Sequence, residues 1–408
     1  MRPLGDRVLG RAPAAQAAGA RRGLAILCVT VTTSYGVLFY AFPVLAPAVT
    51  SDTGWSLAAL TAVFSAAQVV AGLAGALVGR WLQGRGPRPV MTAAAVLAVP
   101  ATLGIASAQS LWAFTLAWLV AGAAMAGLFY PPAFAALTHW FAAGRVRALT
   151  VLTLVAGLAS TIFAPLTAAL EGLWGWRGAY LVLALVLLVV VVPLHCSLPR
   201  GWSRTADEHP DEKGAPVRAV VRSRAFWALT ASLALGSLTV YAVVVNLVPL
   251  LEVRGFDTTA AAWALGLGGL GQVLGRVVYA PLDRWSRPVA RTVAVLGACA
   301  ATTLLLALVP GPWSLLMLVA LLAGTARGIL TLVQATAVTD RWGAGNYAAI
   351  SGLMHTPLML AIALAPWAGA ALAGPLGGHP QAFALLGMVA TAGAAIALAS
   401  RPRPLPTP

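Results

Sequence analysis

Charge is scarce in this chain. Asp, Glu, Lys and Arg together make up 9% of its 408 residues, where a soluble globular protein carries roughly 25%. A shortage of that size excludes water as the main solvent of the fold. Cysteine is scarcer still: Cys28, Cys196 and Cys299 are odd in number and widely spaced, so neither a disulfide framework nor a cysteine metal site is expected. The sequence has no Gly-x-x-x-x-Gly-Lys phosphate loop, no cluster of histidines, cysteines and acids at ligand spacing, and no acid pair within reach. No enzyme constellation, cofactor, metal or ATP-driven step is therefore expected. The eleven acids, Asp6, Asp52, Glu171, Asp207, Glu208, Asp211, Glu212, Glu252, Asp257, Asp283 and Asp340, all fall in tails, connections or helix ends.

What fills the chain is apolar: 60% of it is hydrophobic. Twelve apolar stretches stand out, at 22–49, 56–80, 89–107, 111–137, 148–170, 177–198, 225–251, 259–282, 290–309, 313–338, 347–372 and 380–400. Each runs about 20 residues, and at 1.5 Å per residue that covers the roughly 30 Å hydrocarbon core of a bilayer. The first is too long for a cleavable signal and is followed by eleven more. An all-α integral membrane protein of twelve transmembrane helices is expected. The formal net charge of +15 invites a nucleic-acid reading, but the basic residues are spread along the connections, and no nucleic-acid partner is expected. Of the 26 Lys and Arg, all but Arg177, Arg254, Arg276 and Arg327 fall in the tails and in the connections on the same side as the termini. By the positive-inside rule that side is cytoplasmic, in a plasma or inner membrane.

The long polar stretch 199–224, with four of the acids, reads as a solvated cytoplasmic linker. It divides the chain into a tail 1–21, a six-helix bundle 22–198, a second six-helix bundle 225–400 and a tail 401–408. The bundles echo each other at an offset near 200: Gly75 and Leu82 with Gly275 and Leu282, Gly122 and Trp140 with Gly324 and Trp342, Pro165 with Pro366. Two similar halves facing each other across a central cavity are the repeat architecture of an alternating-access carrier.

After the second apolar stretch the chain reads Gly79-Arg80-Trp81-Leu82-Gln83-Gly84-Arg85-Gly86-Pro87-Arg88, and the matching point of the second half carries Asp283-Arg284. This resembles the signature loop of the major facilitator superfamily, with Gln83 and Gly84 standing where the family places Asp-Arg. His139-Trp140-Phe141, Arg145, Gly157, Gly175-Trp176-Arg177-Gly178-Ala179-Tyr180 and Tyr40-Ala41-Phe42-Pro43 further resemble the monocarboxylate and oxalate/formate branch. The resemblance implies the major facilitator fold. It also implies a substrate-binding arginine on the eighth helix, where Gly275-Arg276 stands. Val44, Gln272 and His355 occupy positions where relatives of that branch carry a lysine, an acid and a lysine.

Two basic residues remain inside the spans, Arg276 and Arg327. A charge at the bilayer centre costs about 2.5 to 3.5 kcal/mol on insertion scales. Arg327, at the middle of its span, cannot snorkel; Arg276 can reach toward the headgroups. With no deep carboxylate to pair them, an anionic substrate held by a guanidinium fork would supply the missing charge, with Arg327 leading and Arg276 helping. Structural arginines bonded to backbone carbonyls and water are the competing reading. Asn246, Tyr35, Gln272 and Gln334 are further candidates for the cavity wall, with packing as their alternative role, and His355 is the candidate proton site. Gly79, Arg80, Gln83, Gly86, Arg88, Arg145, Asp283 and Arg284 are the candidate conformational loop residues. The expected function is secondary transport of a small organic anion by a monomer whose other partner is the lipid bilayer. An exporter of drug-like compounds and, more remotely, a receptor derived from a carrier stay open.

Overall fold

The computed structural model describes residues 14–141, 145–199, 217–343 and 347–401; most of the linker and both tail ends lie outside them. No strand occurs among the described residues. Helix ends fall where capping chemistry places them. Ser56, Ser110, Ser223 and Asp257 precede the helices Leu57–Arg85, Leu111–Leu128, Arg224–Val253 and Thr258–Trp285, and each accepts a bond from the amide three residues on. Pro87 and Pro288 open the helices Pro87–Ser107 and Pro288–Leu308, where a missing amide hydrogen costs nothing. Between the first and second crossings Gly54 (φ 73°) makes a left-handed turn, and Gly255 (φ 87°) does the same between the seventh and eighth. The repeat seen in the sequence thus extends to its caps and turns.

Among the described residues eleven helical segments are long and apolar enough to cross a membrane. One of them, Arg147–Cys196, has 50 residues, which as a single helix would measure about 75 Å. It breaks at Gly175 (φ 65°, ψ 176°) and supplies both the fifth and the sixth crossing, which makes twelve. Pro165, Pro249, Pro357 and Pro366 sit inside continuous helices. The departures from α-helix include π-helical turns Gly36–Tyr40 in the first crossing and Leu187–Val191 in the sixth, a turn at 157–158 in the fifth, and a break at Phe129 (φ −86°, ψ −165°) between Leu111–Leu128 and Tyr130–Phe141 in the fourth. Such turns concentrate at functional positions in membrane helices.

Small residues bring helices together, since lipid offers no hydrophobic drive for helix association. Gly271 and Gly275 of the eighth crossing press against the backbone of Leu321 and Thr325 in the tenth, Trp313–Thr336, whose Gly324 and Gly328 press in turn against the backbone of Gly268 and Gln272. In the other half Gly122 of the fourth crossing meets the backbone of Ala67 in the second. The hydrophobic core is shared between the halves at the end remote from the termini, where Leu45 and Val49 join Leu247, Val248 and Leu251. Toward the termini it divides into two, one around Leu27, Met91 and Leu152, the other around Phe226, Leu330 and Ile350. The molecule is a pair of six-helix bundles packed on each other at one end and each on itself at the other.

Candidate functional site

Aromatic side chains from four crossings meet where the first helix is π-helical and the fourth is broken. The Tyr35 ring stacks on Phe129 with centroids 3.9 Å apart and planes 11° apart, and Tyr130 lies 4.9 Å from Tyr35. Phe39 contacts Tyr40 and Phe64 within its own half and reaches Tyr241 of the seventh crossing edge-on at 6.3 Å. The extra residue of the π turn rotates Phe39 and Tyr40 into this cluster, while Gly36 leaves room for the Phe163 ring. Tyr241 escaped the sequence reading. The signal was present: it stands about 200 residues after Tyr40, at the register that also relates Gly54 to Gly255.

Arg276 lies on the seam between the halves. It is half-buried, and its guanidinium crosses from the eighth helix to donate to the Thr153 carbonyl of the fifth. Gly157, one turn further on, makes the space: a Cβ there would stand 3.0 Å from Arg276 Nη1. Tyr130 and Tyr241 are near enough to feel the Arg276 charge. Two further bonds cross the seam, Thr161 Oγ1 to the Gly266 carbonyl at 2.8 Å and the Trp367 amide to Ser65 Oγ at 3.1 Å.

Arg327 is turned the other way. It is 5% exposed and faces a small cavity inside the second bundle, walled by the seventh to tenth crossings. Gln272 Oε1 is 3.5 Å from its Nη2, while its Nε has no partner among the described residues. The structure therefore separates the two arginines, one on the seam and one behind Gln272, with Tyr241 within electrostatic reach of both. Asn246 is fully buried and ties the seventh helix to the eleventh, its Nδ2 donating to the carbonyls of Ala242 at 2.9 Å and Pro366 at 3.2 Å. Gln334 donates to Ser237 Oγ at 2.8 Å, also within the second bundle. His355 is half-buried, its Nδ1 2.8 Å from the Ser351 carbonyl on its own helix. From sequence, His355 and no other histidine is the candidate proton site. His195 is deeper: it is fully buried between the third and sixth crossings, its Nδ1 3.1 Å from the Met91 carbonyl.

The loop residues divide by half. Gly79, Arg80 and Gly86 end the second crossing, with Arg80 exposed and Arg88 half-buried; the side chains of Gln83 and Arg145 lie outside the described ones. In the second half Arg284 is exposed, and Asp283 pairs with Arg291 at 2.6 Å. Arg291, read from sequence as a loop cation, is 2% exposed and also pairs with Asp340, under the ring of Tyr279. Beside it, burial lowers Arg341 to about 10, with Asp340 acting against the shift. Arg291→Met would leave two carboxylates facing each other. Because Asp283 and Asp340 keep 46% and 21% of their side-chain exposure, the expected loss is about 2 kcal/mol, below the 3 to 5 of a fully buried broken pair. Adding Asp283→Asn and Asp340→Asn should restore most of it, as thermal unfolding in detergent would measure.

The family model of the Major Facilitator Superfamily matches residues 27–354. The chain is similar to monocarboxylate transporter 13 of Rattus norvegicus, 29% identical over 276 residues; that match spans 66% of this chain and 63% of the relative, less than two thirds of its length. It is 30% identical over 256 residues to a chloramphenicol efflux pump of Mycobacterium tuberculosis (strain CDC 1551 / Oshkosh), covering 60% of this chain and 59% of that one. In fold it is similar to the crystal structure of a bacterial homolog to human lysosomal transporter, Spinster, in an inward-facing and unoccupied conformation. There the TM-score is 0.77 at 16% identity, over 95% of this chain and 99% of that one.

Proposed function

The chain belongs to the Major Facilitator Superfamily and is a multi-pass membrane carrier of small molecules rather than an enzyme, and from that premise we propose that its cargo is a small organic anion bearing a carboxylate. The observation that carries this reading is Arg276: a guanidinium on the seam between the moving halves whose hydrogen-bond partners among the described residues are the Thr153 carbonyl and the Tyr130 hydroxyl and not a carboxylate. Neutral partners leave its net charge uncompensated, and a carboxylate arriving from water would compensate it bidentately. Tyr35, Tyr130 and Tyr241 supply hydroxyl donors and an apolar wall for the organic part of such a cargo. Arg327 and Gln272 back this wall from the interior of the second bundle, where they contribute dipoles. The similarity to a monocarboxylate transporter agrees with this cargo class.

The two bundles, 22–198 and 225–400, would rock about the seam, with the termini in the cytoplasm of a plasma or inner membrane. The core fused remote from the termini and divided near them favours a conformation open toward the cytoplasm. His355 is the candidate proton site, and the chain would act as a monomer. Uptake of radiolabelled short monocarboxylates into proteoliposomes tests the proposal: saturable flux blocked by other carboxylates is expected, and none with any organic anion would sink it.

A second reading, export of drug-like compounds, draws on the aromatic cluster and on the similarity to a chloramphenicol efflux pump. In the same vesicles, inhibition by lipophilic cations or neutral drugs and not by carboxylates would favour it.

A further inference from the structure

The cavity beside Arg327 belongs to neither reading of the cargo path. Its walls come from the seventh, eighth, ninth and tenth crossings, all in one bundle, and include Val243, Gly268, Cys299, Thr302, Thr303 and Gly324. Its volume is about 30 Å³. A water needs roughly 10 to 15 Å³, so the space admits ordered water or a monatomic anion.

The charge at its edge is uncompensated. Arg327 is 5% exposed, its Nε lacks a partner, and the amide oxygen of Gln272 sits at the outer limit of hydrogen bonding. The acids in the neighbouring bundle end are engaged elsewhere, Asp283 and Asp340 by Arg291 and Glu252 by Thr258. Among the described residues Arg327 has no ion pair. Thr302 and Thr303 donate to the carbonyls of Ala298 and Cys299, so their hydroxyls leave the guanidinium as the donor that faces the space. Waters would satisfy its hydrogens but not its charge, and an unbalanced cation in a low-dielectric interior is strongly disfavoured. A small anion satisfies both.

We propose that a halide-sized inorganic anion, chloride under ordinary conditions, resides in this cavity on Arg327 as a site separate from the cargo site on the seam. The site is independent of what the carrier transports, and its occupancy stabilises the packing of the eighth helix on the tenth, because Gln272 and Arg327 are its bridge.

The full chain in nanodiscs, exchanged into gluconate and titrated with chloride or bromide at constant ionic strength, should show a saturable rise in Tm of about 3 °C. The same rise is expected in Arg276→Gln and none in Arg327→Gln. Bromide anomalous diffraction from wild-type crystals, which needs no variant to fold, should place a peak within hydrogen-bond distance of Arg327. Equal Tm in gluconate and chloride, an undiminished rise in Arg327→Gln, an equal rise with acetate, or a cavity holding only water would each overturn the assignment. Organic-anion uptake that fails while the halide effect persists would sink only the cargo proposal.

Discussion

Arg276→Gln is expected to lower carboxylate uptake on the order of a hundredfold. Losing one member of a desolvated, hydrogen-bonded charge pair costs about 2 to 5 kcal/mol, and each 1.4 kcal/mol is about tenfold. Arg276→Lys keeps the charge but loses the planar fork, and should fall about tenfold by the same arithmetic. Arg327→Ala, acting from behind Gln272, should cost less than Arg276→Gln. The comparison that decides the role is stability without substrate. An anchor for cargo can be neutralised with Tm unchanged, because its resting partners are the neutral Thr153 carbonyl and Tyr130 hydroxyl and no carboxylate is left behind. Were Arg276 merely a strut between the fifth and eighth helices, Arg276→Gln would lower Tm and Vmax together and leave KM alone. Proteoliposome kinetics beside thermal unfolding of the same preparations separate the two outcomes.

The fold was legible because bilayer thickness is a hard constraint: apolar runs of fixed length announce each crossing, and Gly175 hides only as a break inside one long helix. The pairing of Arg291 was not, because proximity in a helical bundle depends on which faces meet. Nothing in the spacing of residues 283, 291 and 340 states that three helix ends converge. The orientation of Arg327 was partly available. Gly324, Arg327 and Gly328 are three and four apart and share a helix face, so an arginine amid a small-residue stripe points where the neighbouring helix packs. That neighbour carries Gln272, the residue Arg327 meets. The aromatic site was half visible, with Tyr35, Tyr40 and Tyr130 open to a search for polar residues inside spans. The π turn that aims Phe39 and the break at Phe129 are set by packing and leave no sequence mark comparable to a proline.

Gly324→Leu should yield little or no folded protein, and Gly324→Ala should already be destabilising by about 3 kcal/mol, at the upper end of overpacking costs. The physical reason is what a Cβ would strike. At Gly324 it would stand 1.9 Å from the Gly268 carbonyl oxygen, and at Gly271 2.0 Å from that of Leu321. Both obstacles are backbone, so no rotamer change relieves them, and the eighth and tenth helices must separate. Separation would also lengthen the 3.5 Å reach from Arg327 to Gln272, so halide stabilisation should weaken in whatever Gly324→Ala protein survives. Gly297→Ala is the control, since nothing lies within 4 Å of its added carbon. There alanine should be neutral or slightly stabilising, by the roughly 0.5 to 1 kcal/mol that glycine costs inside a helix. Monodisperse yield and thermal unfolding of the three variants test the contrast: if Gly324→Ala matched Gly297→Ala, the close approach of these two helices would not be what holds the second bundle together.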